Sequence, residues 1–60
     1  MSSTMTASEI QRAHELYISE EFHNDPVDTY QRLVTTNGAA SASRIWHLAC
    51  QLYDRATEGG

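Results

Sequence analysis

His47 and Cys50 stand three residues apart. On a helix that spacing brings an imidazole and a thiol to one side, where a single metal ion could take both as ligands. A structural zinc site needs four donors, and no second Cys/His pair follows in the chain. Two copies side by side would supply the missing pair. The simpler reading is a half-buried histidine beside an apolar cysteine, with no metal and no cofactor expected. As base and nucleophile the same residues would need a third group to orient the base, an oxyanion site and a substrate cleft. The sequence offers none of these, so no catalytic residue is assigned and the chain is expected not to be an enzyme.

A second polar cluster lies in the run HELYISEEFH, which carries His14, Glu15, Glu20, Glu21 and His23. His14 and Glu21 fall two turns apart on one helical face, while Glu15 points elsewhere. A zinc-hydrolase helix places its second histidine four residues after the first, and that position is Ile18. The run therefore reads as a solvated acidic face with a histidine near a helix end.

The carboxylates are unevenly distributed. Between positions 9 and 28, Glu9, Glu15, Glu20, Glu21, Asp25 and Asp28 face only Arg12, whereas from position 29 onward Arg32, Arg44 and Arg55 stand against Asp54 and Glu58. The formal net charge is −4, and all four cations are arginines. Duplex nucleic acid is bound largely by cationic side chains that displace condensed counterions, so direct nucleic-acid binding is not expected, nor is a basic helix lying on a membrane surface. A protein with a basic surface is the partner such a face would suit, and the six early acids are the expected partner-binding residues. The same six acids also suit an inhibitor that imitates a phosphate backbone.

The segment YQRLVTTNGAASASRIWHL resembles a helix-turn-helix, with Gly38 as the turn glycine and a second helix rich in small and hydroxyl residues. Arg44 occupies a position where that motif wants an apolar side chain, and it is the only early cation of the supposed recognition helix. A dimeric DNA-binding regulator is thus the alternative to a protein-binding module.

The elements that must position these residues follow from the spacing of apolar side chains. Thr6-Ala7-Ser8-Glu9 has the capping-box form, and Ile10, Ala13 and Tyr17, flanked by Ile18 and Phe22, build one face of a helix over about 7–23. Asn24-Asp25-Pro26 stops it and starts another, with Asp25 as N-cap, over about 26–35. Asn37-Gly38 ends that helix, with Gly38 expected as a left-handed cap. Ala42, Ile45, Trp46, Ala49, Leu52, Tyr53 and Ala56 keep helical spacing throughout a third helix over about 39–57, which Gly59-Gly60 would close. The expected fold is all-α: one domain over 6–58, a small helical hairpin or three-helix arrangement, behind a flexible tail at 1–5. Leu48 and Cys50 lie off the main stripe of the third helix, so a monomer cannot easily cover both sides. A homodimeric helical bundle is therefore expected, with Ile45, Trp46, Ala49, Leu52 and Tyr53 as self-interface or core.

Sixty residues bury only about 60% of the surface of the unfolded chain, so the core must be thin. One cysteine excludes an intramolecular disulfide and suits a reducing compartment. MSSTMTASEI has no signal-peptide pattern, and no segment approaches the roughly 20 apolar residues of a membrane span. The chain is expected to be cytoplasmic. Its expected function is that of a small acidic interaction protein acting as regulator, adaptor or inhibitor.

Overall fold

Ala13 and Phe22 are both buried, yet they lie nine residues apart, which on one unbroken helix would put them on opposite faces, about 180° apart. The chain resolves the conflict by breaking. In the computed structural model, which describes residues 5–58, the region expected as a single first helix divides into α1 (Ala7–Tyr17) and α2 (Glu20–Asn24). The break falls at Ile18 and Ser19. Ser19 is extended (φ −83°, ψ 148°), and its hydroxyl accepts a hydrogen bond from the Phe22 amide at 3.4 Å, the N-cap geometry that short hydroxyl side chains favour. Ile18, placed by its spacing on the flank of an apolar face, is 70% exposed at the corner, and Phe22 is turned inward.

Pro26 opens α3 (Pro26–Asn37), where its missing N–H and fixed φ are harmless. Asp25 occupies the N-cap position, but its side chain makes no capping bond. The buried Thr29 hydroxyl lies 2.8 Å from the Asp25 carbonyl and 3.2 Å from that of Glu21, so its one proton joins the end of α2 to the start of α3. Gly38 alone separates α3 from α4 (Ala39–Glu58). Its φ is +92° as expected of a glycine cap, but its ψ of 155° lies outside the left-handed helical region, in a zone that is essentially glycine's own. Its amide donates to the Val34 carbonyl at 2.7 Å and its carbonyl accepts from the Ala42 amide at 2.9 Å, so one residue closes one helix and opens the next.

Helix α4 is the centre of the packing. At 20 residues it is about 30 Å long, and α1 and α3 both lie against it, while α2 bridges α1 to α3. Ala42, Ile45 and Ala49 of α4 and Ala13 of α1 are fully buried; the alanines let backbones approach closely, and Ile45 is the largest side chain wholly removed from solvent. An aromatic chain covers the other end: Trp46 meets Phe22 (4.8 Å between ring centroids) and Tyr30 (5.3 Å) edge-on, and Tyr53 meets Phe22 and His23. Edge-to-face pairs of this kind add roughly 0.5–1.5 kcal/mol beyond burial. Met5, assigned to the tail by its surroundings in sequence, packs its thioether side chain against the core; residues 1–4 of that tail and Gly59-Gly60 lie outside the described residues. The described chain is all-α, four helices and no strand, in a slab with principal extents of 31 × 29 × 15 Å.

With so little core, single residues dominate stability. Ile45→Ala removes the one large, fully buried side chain among the described residues and is expected to cost ~2–5 kcal/mol, enough to leave a small domain largely unfolded, whereas Ile18→Ala should lie within ~0.5 kcal/mol of wild type. Urea melts followed by circular dichroism at 222 nm check both.

Candidate functional site

Glu9 is the carboxylate that the fold treats differently from the rest. It is 8% exposed. One oxygen accepts from the Thr6 amide (3.0 Å) while the Thr6 hydroxyl accepts from the Glu9 amide (3.2 Å), completing the capping box. Its second oxygen accepts from the Ser41 hydroxyl (2.6 Å) and the Arg44 guanidinium (2.9 Å), both on α4. The Arg44 bond, then those from Ser41 and Thr6, pull the Glu9 carboxyl from the usual 4.5 to about 2 against the opposing effect of desolvation. The same contact raises the Arg44 guanidinium, whose Nε is buried without a hydrogen-bond partner among the described residues. Glu9, grouped by sequence with the partner-binding acids, is thus an internal clamp between α1 and α4 and has no free carboxylate edge to offer. Arg44, the early cation of the helix-turn-helix resemblance, is held by that clamp. The connection before it is one residue, where that motif uses three or four.

The other five acids surround the corner formed by the end of α1, α2 and the start of α3. Glu21 and Asp28 both pair with Arg32, the latter at 3.5 Å, and these exposed pairs contribute at most ~1 kcal/mol each. Gln11 donates to Glu15 at 3.5 Å. Glu20 and Asp25 are exposed and form no ion pair among the described residues. Arg12 lines shallow grooves with Glu21 and Arg32 on one side and with Glu15 on the other, so the acidic corner is partly offset by cations.

The HELYISEEFH residues separate rather than converge. A ring nitrogen of His14 faces the Ile10 carbonyl at 3.0 Å, and one of His23 faces the Tyr17 carbonyl at 3.2 Å while its ring lies against Tyr53. His47 and Cys50 sit one turn apart on the outer side of α4, and no group of three potential metal ligands exists among the described residues. Burial, then the nearby Asp54 carboxylate, pushes the Cys50 thiol up, which lowers its thiolate fraction. Of the residues read from spacing as self-interface or core, Ile45 and Ala49 are core, Trp46 and Leu52 are half-buried against it, and Tyr53 is 42% exposed.

A groove of about 480 Å³ runs between α3 and α4, walled by Pro26, Val27, Tyr30 and Gln31 on one side and Ser43, Trp46, His47 and Cys50 on the other. Among the described residues no wall residue is an Asp, Glu, Lys or Arg, and Val27 is 69% exposed. Across the ridge of α4 lies a second groove, about 470 Å³, reached by Met5, Ala40, Leu48 and Gln51, in which the one charged residue is Arg44. Ser43 and His47 line both. Sequence reasoning missed this surface because its walls come from two helices, and Pro26, Val27 and Gln31 carry no signal that distinguishes them from ordinary helix positions. Comparison of the chain with protein-family models, with curated proteins and with solved structures finds no match in any of the three.

The clamp has a definite pH signature. A carboxyl with a folded pKa below its unfolded value stabilises fully above about pH 4.5, and that stabilisation is lost as pH falls toward 2. Wild type should therefore be more stable than Glu9→Gln at pH 6, with the gap closing as acid approaches pH 2. Thermal melts of both proteins across that range check it, and a gap independent of pH would contradict the clamp.

Proposed function

We propose that this chain is a non-catalytic protein–protein interaction module, acting as a regulator, adaptor or inhibitor by docking another protein on the face formed by α3 and α4. The observation that carries the reading is the uncharged apolar groove on a chain whose net charge is −4. Ordinary surface apolar residues are scattered singly, whereas here Val27, Tyr30 and Trp46 line one trough. Tyrosine and tryptophan at such a trough are the side chains that most often dominate binding energy. Separate support comes from the polar candidates: His14, His23, Glu9 and Arg44 are each engaged by the fold, and His47 with Cys50 lacks an orienting third group.

A second reading keeps the partner at the acidic corner, where Glu20 and Asp25 are exposed and free of ion pairs among the described residues, together with Glu15, Glu21 and Asp28. Such a corner would suit a basic protein surface, or would imitate a phosphate backbone to occupy a nucleic-acid groove. Direct binding of DNA by the chain itself is disfavoured by its charge and by the engagement of Arg44. Among the described residues no helix is long and apolar enough to cross a membrane. The single thiol fits work in the reducing cytoplasm.

Photo-crosslinking in cells separates these readings. A benzophenone side chain at Val27 is expected to give defined protein adducts, and one at Glu20 few or none. Adducts from Glu20 alone would move the partner to the acidic corner, and absence of adducts from both positions would sink the interaction reading.

A further inference from the structure

We propose that the occupant of the α3/α4 groove is a basic amphipathic helix of another protein, its apolar side chains seated between the two helices and its cationic end directed to Asp25 and Asp54. This rests on reading the groove as a docking face, and it supplies the chemistry of the partner.

The walls carry no charge, so the selection comes from what stands at the two ends of the trough. Helices α3 and α4 run back along each other from Gly38. Tyr30 and Trp46, equally far from that glycine in sequence, meet at 5.3 Å between ring centroids, and Pro26 and Cys50, again equally far from it, both wall the groove. One end of the trough therefore points toward Gly38 and the other lies at Pro26 and Cys50.

The charges differ at those ends. From position 29 to position 53 the chain contains no Asp or Glu, and its cations there are Arg32 and Arg44. At the far end Asp25 directly precedes Pro26, and Asp54 lies one turn beyond Cys50 on α4, near enough for its charge to act on the Cys50 thiol. Both aspartates are exposed and neither forms an ion pair among the described residues, whereas Asp28, next to Val27, is held by Arg32. A trough that opens onto two such carboxylates at one end is complementary to an apolar stripe that ends in cations.

The form of the occupant follows from the walls. Both are helices, whose backbone groups are bonded internally, so an extended peptide laid between them would bury amides and carbonyls without partners. A helix satisfies its own backbone and packs its ridge into the groove between two others. From Ser43 to Cys50 the wall is about 10 Å long, or two helical turns, which suits apolar side chains at i, i+3 or i+4, and i+7. Lysine or arginine in the following turn then meets the two aspartates.

Trp46 is the only tryptophan of the chain and stands in the groove wall, so its fluorescence reports occupancy. The probe is a synthetic alanine-rich helix of about four turns, free of aromatic residues, with leucines on one face and lysines confined to one end. A second peptide carries glutamates in place of the lysines. The lysine peptide is expected to shift the Trp46 emission saturably, and the glutamate peptide to bind at least ~10-fold more weakly. Asp25→Asn combined with Asp54→Asn should weaken the lysine peptide by roughly tenfold, Val27→Ser by a similar factor through lost apolar contact, and Glu15→Gln not at all. All four positions are exposed, so the variants should keep their fold, which circular dichroism verifies. No saturable response up to millimolar lysine peptide, equal binding of the glutamate peptide, or equal weakening by Glu15→Gln overturns the basic helix as occupant. Val27 adducts with a second copy of this chain, or with a partner segment that is not a basic helix, would also overturn it while leaving the docking face standing; absence of Val27 adducts removes the face itself.

Discussion

A helix of 20 residues with apolar side chains on more than one side is the constraint around which the rest of the described chain is arranged. Helix α1 covers one flank of α4 and α3 another, and α2 turns Phe22 onto Trp46. Alanines at positions 13, 42 and 49 are wholly buried, and side chains that small let neighbouring helices approach closely. Among the described residues no further element covers the side of α4 that carries Ser43 and His47, and the walls of the two grooves there contain no carboxylate.

The Glu9 cluster is the polar counterpart of that packing. One side chain satisfies a helix-start amide, a hydroxyl and a guanidinium, so the beginning of α1 and the beginning of α4 are fixed by the same carboxylate. A buried ion pair alone is weak support for a fold, because desolvation offsets attraction, but a carboxylate with three donors is in a different position. The orphaned Nε of Arg44 marks where the arrangement falls short of full satisfaction.

What could be read from the sequence, and what could not, divides along the range of the interactions. The stripe through Ala42, Ile45 and Ala49 states the inward side of α4, since helical periodicity is local. Pro26 and the Thr6-to-Glu9 capping box likewise announce helix starts within a few residues. The division of the first helix at Ser19 was hidden because Ile18 and Phe22 fit a helical flank, and only the tertiary need to bury both Ala13 and Phe22 makes the break worthwhile. Glu9 looked like one acid among six because its partners Ser41 and Arg44 are more than thirty residues away. The α3/α4 groove was invisible for the same reason: it belongs to a pair of helices and to neither alone.

Gly38 holds a different kind of consequence. It is the single residue between α3 and α4, with a backbone conformation that a side chain resists even though a Cβ there would meet no neighbouring atom. Were its dihedrals to become helical, residues 26 to 58 would run on as one rod of about 50 Å, and Tyr30 would be carried away from Trp46. Two such rods could regain the lost contacts only by trading partners, each laying its α4 half against the α3 half of the other. One pair of torsion angles thus separates a self-contained fold from an exchanged one, and glycine at that position is what keeps each chain folded upon itself.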